Sequence, residues 1–364
     1  MVNFRVSGGG AEGTTEITLA VKRYGRPHTV FEKGKDMAEA KHTADDLKIM
    51  QSLPLEIKEK MSLARIRSWV KEYGEDGCFI SYSGGKDSTV LRHLVKRYYP
   101  RIPAVYVDTG LEYPEVRRMA MKNADEVIRP KMNFRSVLEK YGYPVISKEQ
   151  ARFIYQFKNT KSDYLAKNRL YGLRRNGEAS KFKISDRNQK LIYAPFDISD
   201  SCCDKLKKDP VRRYKKESGR KEFVGTMAQE SVLRKQSWIR YGCNNFDGSN
   251  PKSAPLSFWT DNDILHYIVK YDLEIPSVYG DIVNDGDGVL TTTGVKRTGC
   301  IFCMYGVHME SCPNRFQLLK TTHPKLWNYC IYGGSNSGKD GKWRPTKEGL
   351  GMWKVLDYIG VPYE

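Results

Sequence analysis

The stretch 78–99, CFISYSGGKDSTVLRHLVKRYY, decides the fold. CFISYS (78–83) is an apolar run of strand length, and STVLRHLVKRYY (88–99) has helical spacing. The hexapeptide Ser83-Gly84-Gly85-Lys86-Asp87-Ser88 joins them. Its two glycines permit a tight turn and a close backbone approach to a ligand. Free N–H groups at the start of the following helix then face an anion. Lys86 adds a point charge suited to a phosphate, and the Ser83 and Ser88 hydroxyls can donate hydrogen bonds. This is not a Walker A loop, because the four-residue spacer between its glycines is missing. The spacing predicts a phosphate-binding turn at the carboxyl end of a strand.

Working outward, PAVYVDTG (103–110) reads as a second strand, and a helix near 114–122 precedes the strand DEVIRP (125–130). NFRSVLEKYG (133–142) is another helix, closed by Gly142. This βαβαβα rhythm predicts an α/β fold with a doubly wound parallel sheet and ligands at the carboxyl ends of its strands. Upstream, 53–73 is a helix with an apolar stripe of Ile57, Met61, Leu63/Ile66 and Trp69/Val70. Downstream, EFVGT (222–226) resumes the sheet. SFWTDNDILHYIVKY then reads as a strand end and a helix, with Thr260 as N-cap and Asp263 three residues on. The expected regions are an N-terminal extension (1–52, with a hairpin around 17–25), a nucleotide-binding domain (53–280) carrying an inserted helical arm (150–190), and a C-terminal region with Cys-x-x-Cys and helices (281–364).

The chain has 364 residues, enough for a proper core, and its 40% hydrophobic and 12% aromatic content excludes a disordered chain. No run approaches the roughly eighteen apolar residues of a membrane span. The start, MVNFRVSGGGAEG, lacks the apolar core of a secretory signal, so a cytoplasmic location without a membrane partner is expected. The formal charge of +18 favours a polyanionic partner. It concentrates in two places. In 150–190, Lys158, Lys161, Lys167, Arg169, Arg174, Arg175, Lys181, Lys183, Arg187 and Lys190 stand against Asp163, Glu178 and Asp186, with Tyr155, Phe157, Tyr164, Tyr171 and Phe182 interleaved. The second basic run is 205–221. Interleaved cations and aromatics suit nucleic acid, DNA or RNA; a solvated face or a partner-protein contact is the alternative.

Eight cysteines occur in a pattern unlike a disulfide framework. Cys202 and Cys203 are adjacent, and Cys300 and Cys303 form Cys-x-x-Cys. Four thiolates suit zinc or an iron–sulfur cluster. Adjacent cysteines are awkward around one tetrahedral ion but can bind two irons of a cubane, so a 4Fe–4S cluster is favoured over zinc. Lys205, Lys207, Lys208 and Arg297 are expected to moderate its charge. Cys78 reads as structural. Of the spare thiols Cys243, Cys312 and Cys330, Cys330 is assigned as the candidate catalytic nucleophile.

SGGKDS resembles the PP-loop of ATP pyrophosphatases, the adenine nucleotide alpha-hydrolase fold. That resemblance implies that Ser83 to Ser88 hold the pyrophosphate of ATP while its α-phosphate is attacked, with Lys86 and Asp87 as catalytic residues and Asp87 helping to hold Mg²⁺. It places Asp108, Thr109 and Gly110 at the ribose and adenine, and Gly225 and Thr226 in the same pocket. The four paired cysteines resemble those around the 4Fe–4S cluster of assimilatory adenylyl-sulfate reductases. VDTGLEYPE (107–115), GTMAQES with Arg234, and SFWTDNDILHYI extend the likeness to the phosphoadenylyl-sulfate (PAPS) reductase family over roughly 75–310. The whole chain looks most like PAPS-reductase-like proteins of bacteria and phages, and like the iron–sulfur subunit of the DNA phosphorothioation system.

Three departures separate it from true sulfate reductases. Lys86 is kept, which only a longer phosphate chain needs. Met227 replaces an arginine, for which Arg234 can substitute. The tail GVPYE lacks the reductases' terminal cysteine motif. The expectation is an ATP-dependent, adenylylating sulfur-transfer enzyme, with a sulfur donor or a DNA-binding protein as possible partners. A PAPS or adenylyl-sulfate reductase releasing sulfite, and a non-catalytic nucleotide-binding regulator, are the alternatives.

Overall fold

The computed structural model describes residues 40–247, 250–336 and 340–364. The hairpin expected around 17–25 lies outside them. In chain order the elements are α1 (Ala44–Ser52), α2 (Leu55–Tyr73), β1 (Cys78–Tyr82), α3 (Lys86–Lys96), β2 (Ala104–Val107), α4 (Pro114–Asn123), β3 (Glu126–Ile128), α5 (Phe134–Tyr141), β4 (Val145–Ile146), α6 (Lys148–Asn159) and α7 (Asp163–Tyr171). There follow α8 (Ser201–Cys203), α9 (Asp209–Ser218), β5 (Lys221–Val224), α10 (Val232–Tyr241), β6 (Asn244–Asn245), β7 (Lys252–Ser253), α11 (Asp261–Lys270), β8 (Ile282–Asn284), β9 (Leu290–Thr292), β10 (Met304–Tyr305), α12 (Arg315–Thr322), α13 (Pro324–Ile331) and α14 (Met352–Ile359).

The central sheet has the order β3-β2-β1-β5-β7-β6, and every pairing is parallel except β6 with β7. The chain runs outward from β1 through β2 to β3, then crosses back to place β5 on the other side of β1. That reversal is a topological switch point, where the loops after adjacent strands diverge and leave a crevice. The expected doubly wound parallel sheet is present. Side chains alternate along β1: Cys78, Ile80 and Tyr82 enter the core shared with Trp69, Val90 and Leu94, while Phe79 meets Tyr214 of α9 at 5.0 Å between ring centroids.

Two expectations are corrected. The second half of the α2 stripe, Ile66, Trp69 and Val70, is buried as expected, but in its first half the fully buried residues are Lys58 and Ser62, with Met61 only half-buried against the core. The two polar residues are matched inside: Lys58 Nζ donates to both Asp263 oxygens at 2.8 and 2.7 Å, and Ser62 Oγ donates to the Pro255 carbonyl and accepts from Trp259 Nε1. Secondly, SFW is not a strand end. Leu256, Phe258 and Trp259 are fully buried in a turn held by Ser257 N–H to the Ala254 carbonyl and Trp259 N–H to the Leu256 carbonyl. Thr260 does cap α11, in a reciprocal pair with Asp263.

A second core gathers β4, β10, α5, α6 and the C-terminal helices around Phe196, Met304, Phe316 and Leu356. The basic arm is anchored in it, because Ala151, Phe153 and Ile154 of α6 are buried there. No helix among the described residues is long and apolar enough to cross a membrane.

Candidate functional site

The loop after β1 lies at the switch point. Gly84 has φ +77°, and a Cβ there would come within 2.6 Å of the Val116 carbonyl oxygen, so the turn needs glycine. Gly85 precedes α3 without a side-chain cap, so the amides at that helix start must find partners elsewhere. One of them, Lys86 N–H, donates to Tyr279 Oη at 3.2 Å, and that hydroxyl also lies 2.8 Å from Thr298 Oγ1. Ser83 and Ser88 hydroxyls are 3.0 Å apart, and Ser88 Oγ donates to the Gly85 carbonyl.

Lys86 is buried at 3% exposure, with Nζ 2.9 Å from Asp87 Oδ1 and 2.8 Å from Asp261 Oδ1. Burial opposes its charge, but Asp87 and Asp261 outweigh that and hold the ammonium protonated. Arg297 reaches Asp261 at 4.0 Å, and Arg234, paired with Glu230, lies near Arg297 and Asp87: burial and Arg297 push its pKa down. Three cations, Lys86, Arg234 and Arg297, thus gather near the loop. Gly225, after β5, backs it: a Cβ there would be 3.1 Å from the Asp87 carbonyl oxygen. Thr226 follows on the same edge.

Gly110, at φ +71°, and Asp108 and Thr109 follow β2 at this sheet edge. Both side chains are already engaged. Arg117 grips Asp108 through two bonds of 2.8 Å, with Arg129 at 3.4 Å, and these hydrogen bonds hold the carboxyl below its usual range. Thr109 Oγ1 donates to Glu112 at 2.7 Å.

The two cysteine pairs meet. Cys202, Cys203, Cys300 and Cys303 line one cavity with Leu111, Phe134, Pro144, Leu206 and Lys207. Cys202 and Cys203 lie in α8, which runs through a wide π-type turn (Asp204–Lys208) into α9, and that turn carries Lys207 to the cavity. A hydrogen bond from Cys202 brings Cys203 down to about 6, assisted by Lys148 and Lys207 despite burial. The same bond, with burial, pushes Cys202 up; burial lifts Cys300 to about 11 and also raises Cys303. Among the described residues, no three His, Cys, Asp or Glu side chains converge closely enough to hold a single metal ion.

The expected moderating cations are partly corrected. Lys205 and Lys208 pair with Asp209 and Asp204, and Arg297 belongs to the phosphate loop. Lys148 and Arg315 take their place, the latter donating to the Cys303 carbonyl at 2.9 Å. Cys330 is corrected as well: it is completely buried in α13, 3.3 Å from Met352 Sδ, and burial pushes its thiol well up, so it packs the core instead of meeting substrate. Cys243 is buried and accepts from Ser257 Oγ; Cys312 is exposed. Cys78 is a buried strand residue whose thiol burial pushes up to about 12.

Sequence reasoning missed Asp261, Tyr279 and Thr298 at the loop. The signal was thin: Asp261 sits inside a helix-capping sequence, and Thr298 two residues before Cys300. The segment 298–303 ties the two centres together. Thr298 touches the loop, Cys300 lines the cavity, and Ile301 N–H donates to the Leu111 carbonyl at 2.8 Å.

Matches to the phosphoadenosine phosphosulfate reductase domain cover residues 77–185 and 148–304, well over half the chain. The chain belongs to that family. A phosphoadenosine 5′-phosphosulfate reductase of Xylella fastidiosa is 26% identical over 223 residues, 59% of this chain and 72% of that protein. A sulfate adenylyltransferase subunit 2 of Shewanella sediminis is 26% identical over 232 residues, 61% of this chain and 65% of the relative, so just under two thirds of its length is spanned. The crystal structure of a PAPS reductase from Candida auris, in phosphate complex, covers 67% of this chain and 96% of its own at 14% identity, with a TM-score of 0.34. This PAPS reductase-domain chain therefore shares its fold class and nucleotide-handling family with sulfur-metabolising enzymes.

Proposed function

We propose that this family member is an ATP-dependent sulfur-transfer enzyme that activates its acceptor as an adenylate. The observation that carries the reading is Lys86: buried, charged, at the start of α3, and flanked by Asp87 and Asp261. A lysine kept charged in a buried loop is suited to a polyphosphate. In this reading an acceptor oxygen attacks the α-phosphorus of ATP, the bond to the bridging oxygen breaks, and pyrophosphate leaves. Lys86, the α3 amides, Arg234 and Arg297 stabilise the charge that develops on it. With Lys86 turned to the phosphates, Asp87 and Asp261 would be free to hold Mg²⁺. A sulfide-level nucleophile would then attack the acceptor atom that carries the adenylate, that atom's bond to the adenylate oxygen would break, and AMP would leave with the bonding electrons.

The cavity fits a 4Fe–4S cluster better than one zinc ion. Its donors are four thiols, its walls are apolar apart from Lys207, and Lys148 and Lys207 offset an anionic group. Cys202, Cys203, Cys300 and Cys303 would hold the cluster, which supplies a site for binding or transferring sulfur when present. A second reading, release of sulfite from PAPS, is favoured by the relative in Xylella fastidiosa and by Arg117 and Arg129 beside Asp108. The burial of Cys330 removes one candidate nucleophile for it.

The deciding experiment uses anaerobically purified protein with ATP or with PAPS, and assays pyrophosphate, AMP and sulfite. Pyrophosphate and AMP from ATP are expected. Sulfite from PAPS without any ATP turnover would sink the adenylylation reading.

A further inference from the structure

The basic arm is more ordered than a solvated charge run. Arg169 is spent inside it, donating to Gln156, Asn168 and the Phe182 carbonyl and lying 4.3 Å over the Phe153 ring. Arg152, Arg174 and Lys183 pair with Asp200, Glu178 and Asp186. Other cations are not consumed: among the described residues Lys161, Lys167, Arg175 and Lys181 have no carboxylate partner, and all four are exposed. With them stand exposed aromatics, Tyr164 at 38%, Phe182 at 48%, Tyr171 at 63% and Tyr193 at 83%. Two members of each set are paired in space. The Arg175 guanidinium lies 4.9 Å over Tyr164, and the Lys181 ammonium 5.9 Å from the Phe182 ring.

Soluble surfaces rarely bare four large aromatic rings along one short segment, and a cation beside two of them suits a chain that alternates flat bases with phosphates. A small anion such as sulfate would need the cations alone. A duplex hides its base faces and would leave the rings unused. The arm also leads to the cysteines. Gln150, in the first turn of α6, holds the arm by donating to the Lys183 carbonyl and accepting from Ser185 N–H. Two residues earlier, Lys148 faces Cys203. On the other side β4, directly before α6, pairs with β10, directly after Cys303.

We propose that the exposed face of residues 161–193 binds an unpaired nucleic-acid strand, its bases stacked on Tyr164, Phe182, Tyr171 and Tyr193 and its phosphates on the neighbouring cations. Strand binding stands on this surface alone; the strand's role as sulfur acceptor rests on the function proposed above.

The test is fluorescence anisotropy of the full chain with a labelled 20-mer of oligo(dT) or oligo(U), against a blunt duplex of equal length. Both single strands are used because stacking and phosphate contacts do not read the sugar, and binding of either supports the proposal. The single strand is expected to bind at least about tenfold more tightly than the duplex, with affinity falling linearly in log salt. A Tyr164→Ala/Phe182→Ala variant should lose about 25-fold or more, given about fivefold or more per stacked base. A Lys161→Glu/Lys167→Glu/Lys181→Glu variant should lose affinity and flatten the salt slope. Circular dichroism and Tm of each variant establish that it is folded. Unchanged affinity in both folded variants, or a duplex preference, overturns the proposal. Pyrophosphate release from ATP is measured in parallel without oligonucleotide; its absence counts against the adenylylation reading and leaves strand binding standing.

Discussion

The phosphate loop and the cysteine cavity are assembled in opposite ways. The loop is six consecutive residues whose glycines, lysine and serines sit together by covalent order, and its neighbours Asp261, Tyr279 and Thr298 complete it. The cavity draws on Cys202 and Cys203 from one segment and Cys300 and Cys303 from another, and exists only because β4 pairs with β10 and Ile301 bonds to Leu111. A contiguous motif carries its chemistry with it; a divided one depends on the packing between. Damage to the loop should therefore be chemical and local, and damage to the cavity's supports should be structural.

The largest effect tests a support of the loop, not the loop itself. Lys58→Met leaves Asp263 buried without its cation under the first turn of α11, which also carries Asp261. A loss of about 3–5 kcal/mol in urea unfolding is expected. A loss below ~1 kcal/mol would mean that this pair does not position α11. Next, Lys86→Ala should lower ATP-driven pyrophosphate release about 10²–10³-fold, with bound iron unaffected. Iron falling with activity would show that the two centres are one cooperative unit. Conversely, Cys203→Ser should lose most of about four irons per chain on anaerobic reconstitution while nucleotide binding by calorimetry persists. Stoichiometric zinc in the parent protein would overturn the cluster assignment.

The smallest effect concerns Asp108. Arg117 and Arg129 hold its carboxyl below the ordinary 3.8, so the pair contributes stability above about pH 4 that is lost as pH falls through the lowered value. Arg117 is nearly half exposed, so screening limits the contribution to about 1 kcal/mol or less. Asp108→Asn should flatten the acid side of the stability profile by that amount. An unchanged profile would show that the arginines serve a ligand instead of the fold.

Much of this was legible. The strand–turn–helix around SGGKDS, the alternation of the first three strands with helices along the chain, the Thr260 cap and the two cysteine pairs all follow from local patterns. The first half of the buried α2 face was not, because Lys58 and Ser62 are made internal by Asp263, Pro255 and Trp259, about two hundred residues away. Cys330 was misjudged for the complementary reason: its neighbours in sequence, NYCIYGG, say nothing about the core that closes over it.

By itself, then, the sequence determined a parallel α/β sheet with a glycine turn between strand and helix and a set of four paired thiols, because those are set by periodicity, glycine freedom and adjacency. Only the tertiary structure decided which cations serve which centre. It sent Arg297 to the phosphate loop and Lys148 and Arg315 to the cysteines, and it tied up Lys205, Lys208 and Asp108 with partners. A long charged side chain finds its partner through space, and a composition of +18 cannot say where each of those charges ends.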